Sequence, residues 1–148
     1  ETDDGNMDAL RMSAIGMPSL FLGKALALFV QITVLELILG PGILLLYNVG
    51  VVDWVLLIAA AIAGTVAFSV CGVLWGAMSA GLRVRATLLP LLLVPVLAPV
   101  LLAGSRAFET ALGVRAGAGW TWAGLMFVIA AVHTALGLGA FGFLLEEG

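Results

Sequence analysis

Four long apolar runs, separated by short polar stretches, account for most of the chain. They occupy residues 21–46, 55–82, 86–105 and 120–145. A helix rises 1.5 Å per residue, so a run of about 20 residues crosses the roughly 30 Å hydrocarbon core of a bilayer. The pattern therefore predicts an all-α bundle of four membrane-spanning helices in one domain, preceded by a polar segment at residues 1–20.

The third run is distinctive because it contains Pro90, Pro95 and Pro99 between flanking arginines. An interior proline costs a soluble core helix about 3 kcal/mol or more. In a membrane bundle, neighbouring helices and waters can satisfy the freed carbonyls. The run therefore predicts a kinked membrane helix. The prolines either shape this helix, the interpretation that we favour, or free carbonyls toward a cavity.

Short connections and tryptophans mark the ends of the spans. The connection at residues 49–53 is short enough to pair the first two spans as an antiparallel hairpin, and Trp54, Trp120 and Trp122 are suited to the membrane interface. Between the third and fourth runs, we expect a longer loop over residues 105–119, within which the stretch SRAFETAL could form a short interfacial helix.

Composition narrows the class of protein. The chain is 63% hydrophobic and 10% charged, with a mean hydropathy of +1.22, whereas soluble domains are about 45–50% apolar and about 25% charged. This indicates a polytopic membrane protein, and no basic cluster suggests nucleic acid. The single cysteine, Cys71, lies within a span, so we expect a small core residue rather than part of a disulfide framework.

Basic residues near the spans predict the orientation of the bundle. The positive-inside rule places the side with more lysine and arginine in the cytoplasm. We therefore expect the N-terminal segment and the C-terminus to be cytoplasmic. The side predicted to be cytoplasmic carries Arg11, Lys24, Arg83 and Arg85, and the other carries Arg106 and Arg115.

Two residues that can carry a charge, Glu36 and His133, lie near the middle of their spans. Glu36 is in the middle of the first, where a charge is costly unless it is paired or faces the bundle interior. It could line a substrate or coupling path, or form a structural hydrogen bond to a neighbouring helix. His133, in the fourth span, could ligate a metal or haem iron, pair with Glu36, or bond a backbone carbonyl. We leave these alternatives open.

Sequence motifs for catalysis are missing. Gly23-Lys24 is followed by Ala25, which does not fit a nucleotide-binding loop, and no haem-attachment, zinc-protease or nucleophile-elbow motif is present. We therefore expect a non-catalytic membrane protein and assign it no metal site and no resident cofactor, apart from the alternative of a ligand role for His133.

The segment at residues 1–20 is acidic at its front and then partly apolar. Its spacing predicts a short amphipathic helix, which could lie on the membrane or dock on a soluble partner. The chain opens on Glu1 rather than on methionine. We therefore expect it to be the later part of a longer protein.

Two stretches together resemble a known family. ETDDGNMDALRMSAIGMPSLFLGK resembles the cytoplasmic loop of ABC-2-type permeases, although Thr2 replaces an arginine and Ala14 a proline of that pattern. LRVRATLLPLLLVPVLAPVLLAGSRA and FLGKALALFVQITVLELILGP, the latter including Glu36, are similar to the haem-exporter protein B family, the membrane subunit of the cytochrome c maturation transporter.

The resemblance implies six spans, of which this chain would hold the last four. It implies a cytoplasmic ATPase subunit, further membrane subunits of the maturation complex, and a homodimer or hetero-oligomer in the lipid bilayer, with haem as a handled ligand. The loop would be a coupling helix that docks on the ATPase through Gly5, Leu10, Met12, Ser13 and Lys24. Candidate residues lining a substrate or coupling path are Glu36, His133, Pro90, Pro95 and Pro99.

Two other functions compete with this one. The chain could be an ABC-2-type permease for a lipid, a polysaccharide or a drug, or a membrane scaffold without a transport cycle.

Overall fold

A computed structural model describes the backbone of residues 17–78 and 85–146, with side chains at 19–78 and 93–139. Within these ranges the chain forms four helices, each long and apolar enough to cross a membrane. This confirms the all-α polytopic fold that the sequence predicts. The helices are α1 (Met17–Leu46), α2 (Trp54–Met78), α3 (Arg85–Ala111) and α4 (Gly119–Glu146).

The second helix is the centre of the bundle. α2 packs against all three other helices, α3 and α4 pack against each other, and α1 packs against α2 and α4. Small side chains permit the close approach of these helices. The central cluster is built largely of alanines, together with Val100 and Met126; its buried alanines are Ala60, Ala63, Ala67, Ala103, Ala107 and Ala130.

The first helix is held mainly near its beginning. Phe21 and Ala25 are buried against Val70, Val73 and Leu74 of α2. The Phe21 ring also lies where a side chain at residue 137 would be, so glycine is required there. From residue 26 to residue 46, no residue of α1 is buried.

α1 continues through Pro41 and ends in a backbone cap. Asn48 adopts a left-handed conformation with φ of 50°. Its N–H donates to the carbonyl of Leu45 at 3.3 Å, and the N–H of Val49 donates to that of Leu44 at 3.1 Å. This pair of bonds is a Schellman motif, with asparagine in place of the usual glycine.

The separate interfacial helix predicted for SRAFETAL is wrong, because α3 runs without a break to Ala111. Arg106 and Glu109 form an ion pair one turn apart, at 2.9 Å, and so stabilise the helix instead of marking a loop. Gly113, with φ of 71°, then caps α3 with a second Schellman motif, in which its N–H and that of Val114 donate to Thr110 and Glu109.

One carbonyl joins the two helical hairpins. The N–H groups of Val52 and Asp53 both donate to the Ala111 carbonyl, at 2.9 and 3.0 Å. The Asp53 carboxylate accepts the N–H of Leu56 at 2.9 Å and thereby caps the start of α2. We call residues 46–54 and 111–119 the hairpin end of the bundle.

Close packing at the hairpin end predicts that Gly119→Ala destabilises the fold. The new Cβ would lie 2.5 Å from Leu56 Cδ2 and 2.9 Å from Thr110 Cβ. Because a β-branched threonine is stiff, we expect a loss of about 1–3 kcal/mol in the free energy of unfolding, measured by denaturation in mixed micelles. The matched control is Gly124→Ala in the same helix, where a Cβ would meet nothing within 4 Å. Equal effects of the two substitutions would contradict this packing.

Candidate functional site

The carboxylate of Glu36 is bonded to the neighbouring helix. Thr65 Oγ1 of α2 donates a hydrogen bond to Glu36 Oε1 at 2.6 Å. Thr65 is 1% exposed, and its own carbonyl accepts a hydrogen bond from Ser69 Oγ at 2.7 Å. Glu36 itself is partly buried. The structure therefore contains the cross-helix hydrogen bond that one interpretation of Glu36 requires. Whether Glu36 also lines a substrate or coupling path stays a prediction.

A small cleft lies beside this hydrogen bond. Its volume is about 170 Å³, close to that of a cavity of about 150 Å³ that accepts benzene and well below the roughly 300–1,000 Å³ of drug-sized sites. In this conformation it is therefore too small for a tetrapyrrole. The cleft is formed by all four helices, through Glu36, Ala61, Gly64, Phe68, Leu101, Gly104, Ser105, Phe108 and Met126 among others.

Two glycines and a thioether shape this cleft. A Cβ added at Gly64 would lie 3.8 Å from the Met126 sulfur, and one at Gly104 would lie 3.6 Å from it. Because these two glycines carry no side chain, α2 and α3 leave room between them for the Met126 side chain of α4. The result is a mostly apolar cleft with one carboxylate at its edge. Within the described ranges, no group of three or more histidine, cysteine or acidic residues could hold a metal ion.

His133 is bonded within its own helix. Its Nδ1 lies 2.8 Å from the carbonyl oxygen of Ile129 and donates to it. Both His133 and Glu36 lie in the described part of the chain, and they form neither a hydrogen bond nor an ion pair with each other. The hypothesis of a Glu36–His133 pair is therefore wrong for this structure. Similar depth did not bring the two side chains together, because each has a nearer partner.

Three other candidate residues are described with their side chains, and none of them lines the cleft. Pro95 and Pro99 are exposed on α3, and Pro90 lies in the same helix, with its side chain outside the described residues. Lys24 is exposed on α1. The remaining docking candidates lie outside the described residues; they are Gly5, Leu10, Met12 and Ser13.

Thr65 is the site residue that the sequence analysis missed. A signal for it was available, because the short connection makes α1 and α2 an antiparallel hairpin. Glu36 lies ten residues before the end of α1 at Leu46, and Thr65 lies eleven residues after the start of α2 at Trp54. Counting outward from the connection therefore places the two residues at the same level.

A double-mutant cycle can measure this hydrogen bond. Interhelical hydrogen bonds in membranes couple by about 0.6 kcal/mol on average and by up to about 1.7 kcal/mol. We expect a coupling in this range between Glu36→Leu and Thr65→Val in the free energy of unfolding. As the control, Glu36→Leu combined with His133→Ala should be additive within about 0.5 kcal/mol. If Glu36 were coupled to His133 and not to Thr65, the hydrogen bond between Glu36 and Thr65 would be contradicted.

Comparisons with known proteins agree with the fold. The family model described as CcmB protein matches residues 1–146. Heme exporter protein B of Haemophilus influenzae is 32% identical over 108 residues, which cover 73% of this chain and 49% of that protein. The match thus spans about half the length of that relative. No solved structure matches the chain significantly. Since the family model covers nearly every residue, the chain belongs to the CcmB protein family.

Proposed function

We propose that this chain is part of the membrane subunit of a transporter complex that exports haem, or releases a haem-loaded chaperone, during cytochrome c biogenesis. The observation that carries the proposal is the match of the family model to residues 1–146. The name of the Haemophilus influenzae relative supports the substrate class, and the four spans support a membrane location.

A separate ATPase subunit powers the complex. The sequence has no nucleotide-binding loop of its own, so energy must reach the bundle through contact with another protein. The proposed contact is the segment at residues 1–20 together with Lys24, whose exposed position at the start of α1 supports this role. In this arrangement the segment and the C-terminus face the cytoplasm, and the hairpin end faces the opposite side of the bacterial inner membrane.

Haem does not occupy the Glu36 cleft in this conformation. The cleft volume of about 170 Å³ is too small for a tetrapyrrole, and haem propionates would be repelled by the Glu36 carboxylate if both were ionised. Haem handling therefore uses another surface of the complex or another conformation of this bundle. The subunit moves or releases its cargo without making or breaking covalent bonds.

The function is tested by deleting the gene and measuring holo-cytochromes c by haem staining of membrane fractions. We expect covalent haem in these cytochromes to be lost and to be restored by the full-length gene. Normal holo-cytochromes c, together with a defect in lipid or polysaccharide export, would favour an ABC-2-type permease for another substrate.

The docking segment is tested in the full-length protein by pull-down of the ATPase subunit. Deleting residues 3–17 should reduce co-purification at least about tenfold, and Leu10→Asp should weaken it, since a buried charge at an apolar contact is costly. The matched control is Leu39→Ala, which shortens an exposed side chain of α1 and should leave co-purification unchanged. If the ATPase still bound the deletion variant, docking through this segment would be ruled out.

A further inference from the structure

The attachment of α1 to the bundle is uneven along its length. Near its beginning, Phe21 and Ala25 are buried against α2. At its end, the connection to α2 is fixed by the two hydrogen bonds to the Ala111 carbonyl. Between these fixed points, from residue 26 to residue 39, no side chain of α1 is buried. This middle segment therefore has little close packing to hold it in place.

A bend point lies at the end of this middle segment, at Gly40-Pro41-Gly42. Proline has no N–H to donate to the carbonyl four residues earlier, at Leu37, so the helix lacks one rung of its hydrogen-bond ladder there. Sharp helix bends occur at such positions. A Cβ added at Gly40 or Gly42 would meet nothing within 4 Å, so no other described helix packs closely against these two glycines.

The Thr65–Glu36 hydrogen bond holds the middle segment against α2, five residues before Pro41. The cleft begins beside this bond, with Gly104 and Phe108 of α3 on its far side. α1 and α3 do not pack directly against each other in the described residues. Outward movement of the middle segment would therefore widen the cleft without breaking any contact between α1 and α3, although it parts α1 from the half-buried contacts that it makes with α2 and α4.

We propose that residues 26–39 of α1 form a gate over the interhelical cleft. Gly40-Pro41-Gly42 is its hinge, the Phe21 and Ala25 contact is its pivot, and the Thr65–Glu36 hydrogen bond is its latch. Opening the gate moves the Glu36 carboxylate away from the Thr65 hydroxyl and widens a cleft that is already partly open between the helices. The inference rests on the membrane-spanning fold and does not depend on the cargo.

The strength of the latch suits a gate. An interhelical hydrogen bond of ordinary strength in a membrane changes the ratio of two states roughly 3- to 20-fold. Such a bond favours the closed state without locking it. Removing it should therefore produce an open population that is measurable beside the closed one.

The experiment measures distances between spin labels in the full chain in lipid nanodiscs. The background carries Cys71→Ala, which removes the single native cysteine. Labels are attached to cysteines introduced at Ile38 of α1 and Leu102 of α3, both exposed and neither lining the cleft. We expect Thr65→Val to raise the ratio of long to short distances about 3- to 20-fold. Ser69→Ala is the matched control, because it removes a buried hydroxyl of α2 bonded within its own helix; it should change nothing.

The hinge gives a second, independent measurement. Adding Pro41→Ala to Thr65→Val should lower the ratio of long to short distances again, because alanine restores the backbone hydrogen bond from residue 41 to the Leu37 carbonyl. If Thr65→Val does not fold, Pro41→Ala alone is compared with the parent, and we expect its distance distribution to narrow. An unchanged distribution in Thr65→Val, an equal shift in Ser69→Ala, or no narrowing with Pro41→Ala would overturn the gate. If the label distances showed that α1 does not move, the gate would fail, but the proposed role in cytochrome c biogenesis would stand. If the deletion strain made normal cytochromes c, that role would fail, but the gate would stand.

Discussion

The two hydrogen bonds accepted by the Ala111 carbonyl set the heights of all four helices. The last carbonyls of a helix have no partner within the helix, and this one, at the end of α3, accepts both N–H groups from the connection that precedes α2. The bond fixes the two hairpins relative to each other along the membrane normal. As a result, Glu36, Gly64, Gly104 and Met126 come to line one cleft, although they belong to four different helices.

Much of the fold was predictable because the membrane leaves few alternatives. A long apolar run has to be a helix when no water can satisfy its backbone, so the four spans followed from the pattern of residues. The end of α3 did not follow from this pattern, because the charged residues Arg106 and Glu109 suggested a loop. In the structure they form an ion pair with each other within the helix. The alanines spaced along this helix, including Ala107 and Ala111, are buried, and they continue the packing surface past the expected boundary.

The site was predictable only in part. The cost of a carboxylate within the bilayer required a partner for Glu36, but it did not say which residue supplies it. Similar depth in the membrane suggested His133 as the partner of Glu36, whereas the pairing of α1 with α2 in one hairpin brings Thr65 to that level. Glycine positions were equally ambiguous. Gly64 and Gly104 leave space for the Met126 sulfur, Gly119 permits contact with Thr110, and Gly124 faces open space, yet all four look alike in the sequence.

The largely apolar surface of α1 has a consequence for its rotation about the helix axis. Lipid tails are as apolar as leucine, so a bilayer alone does not favour one apolar face of a helix over another. Beyond Ala25, the polar side chains of α1 are Gln31, which is exposed, and Thr33 and Glu36, which are half-buried. Of these, Glu36 is bonded across to α2 through Thr65. This carboxylate therefore fixes the rotational setting of α1, and moving it by one position would present a different face of α1 to α2.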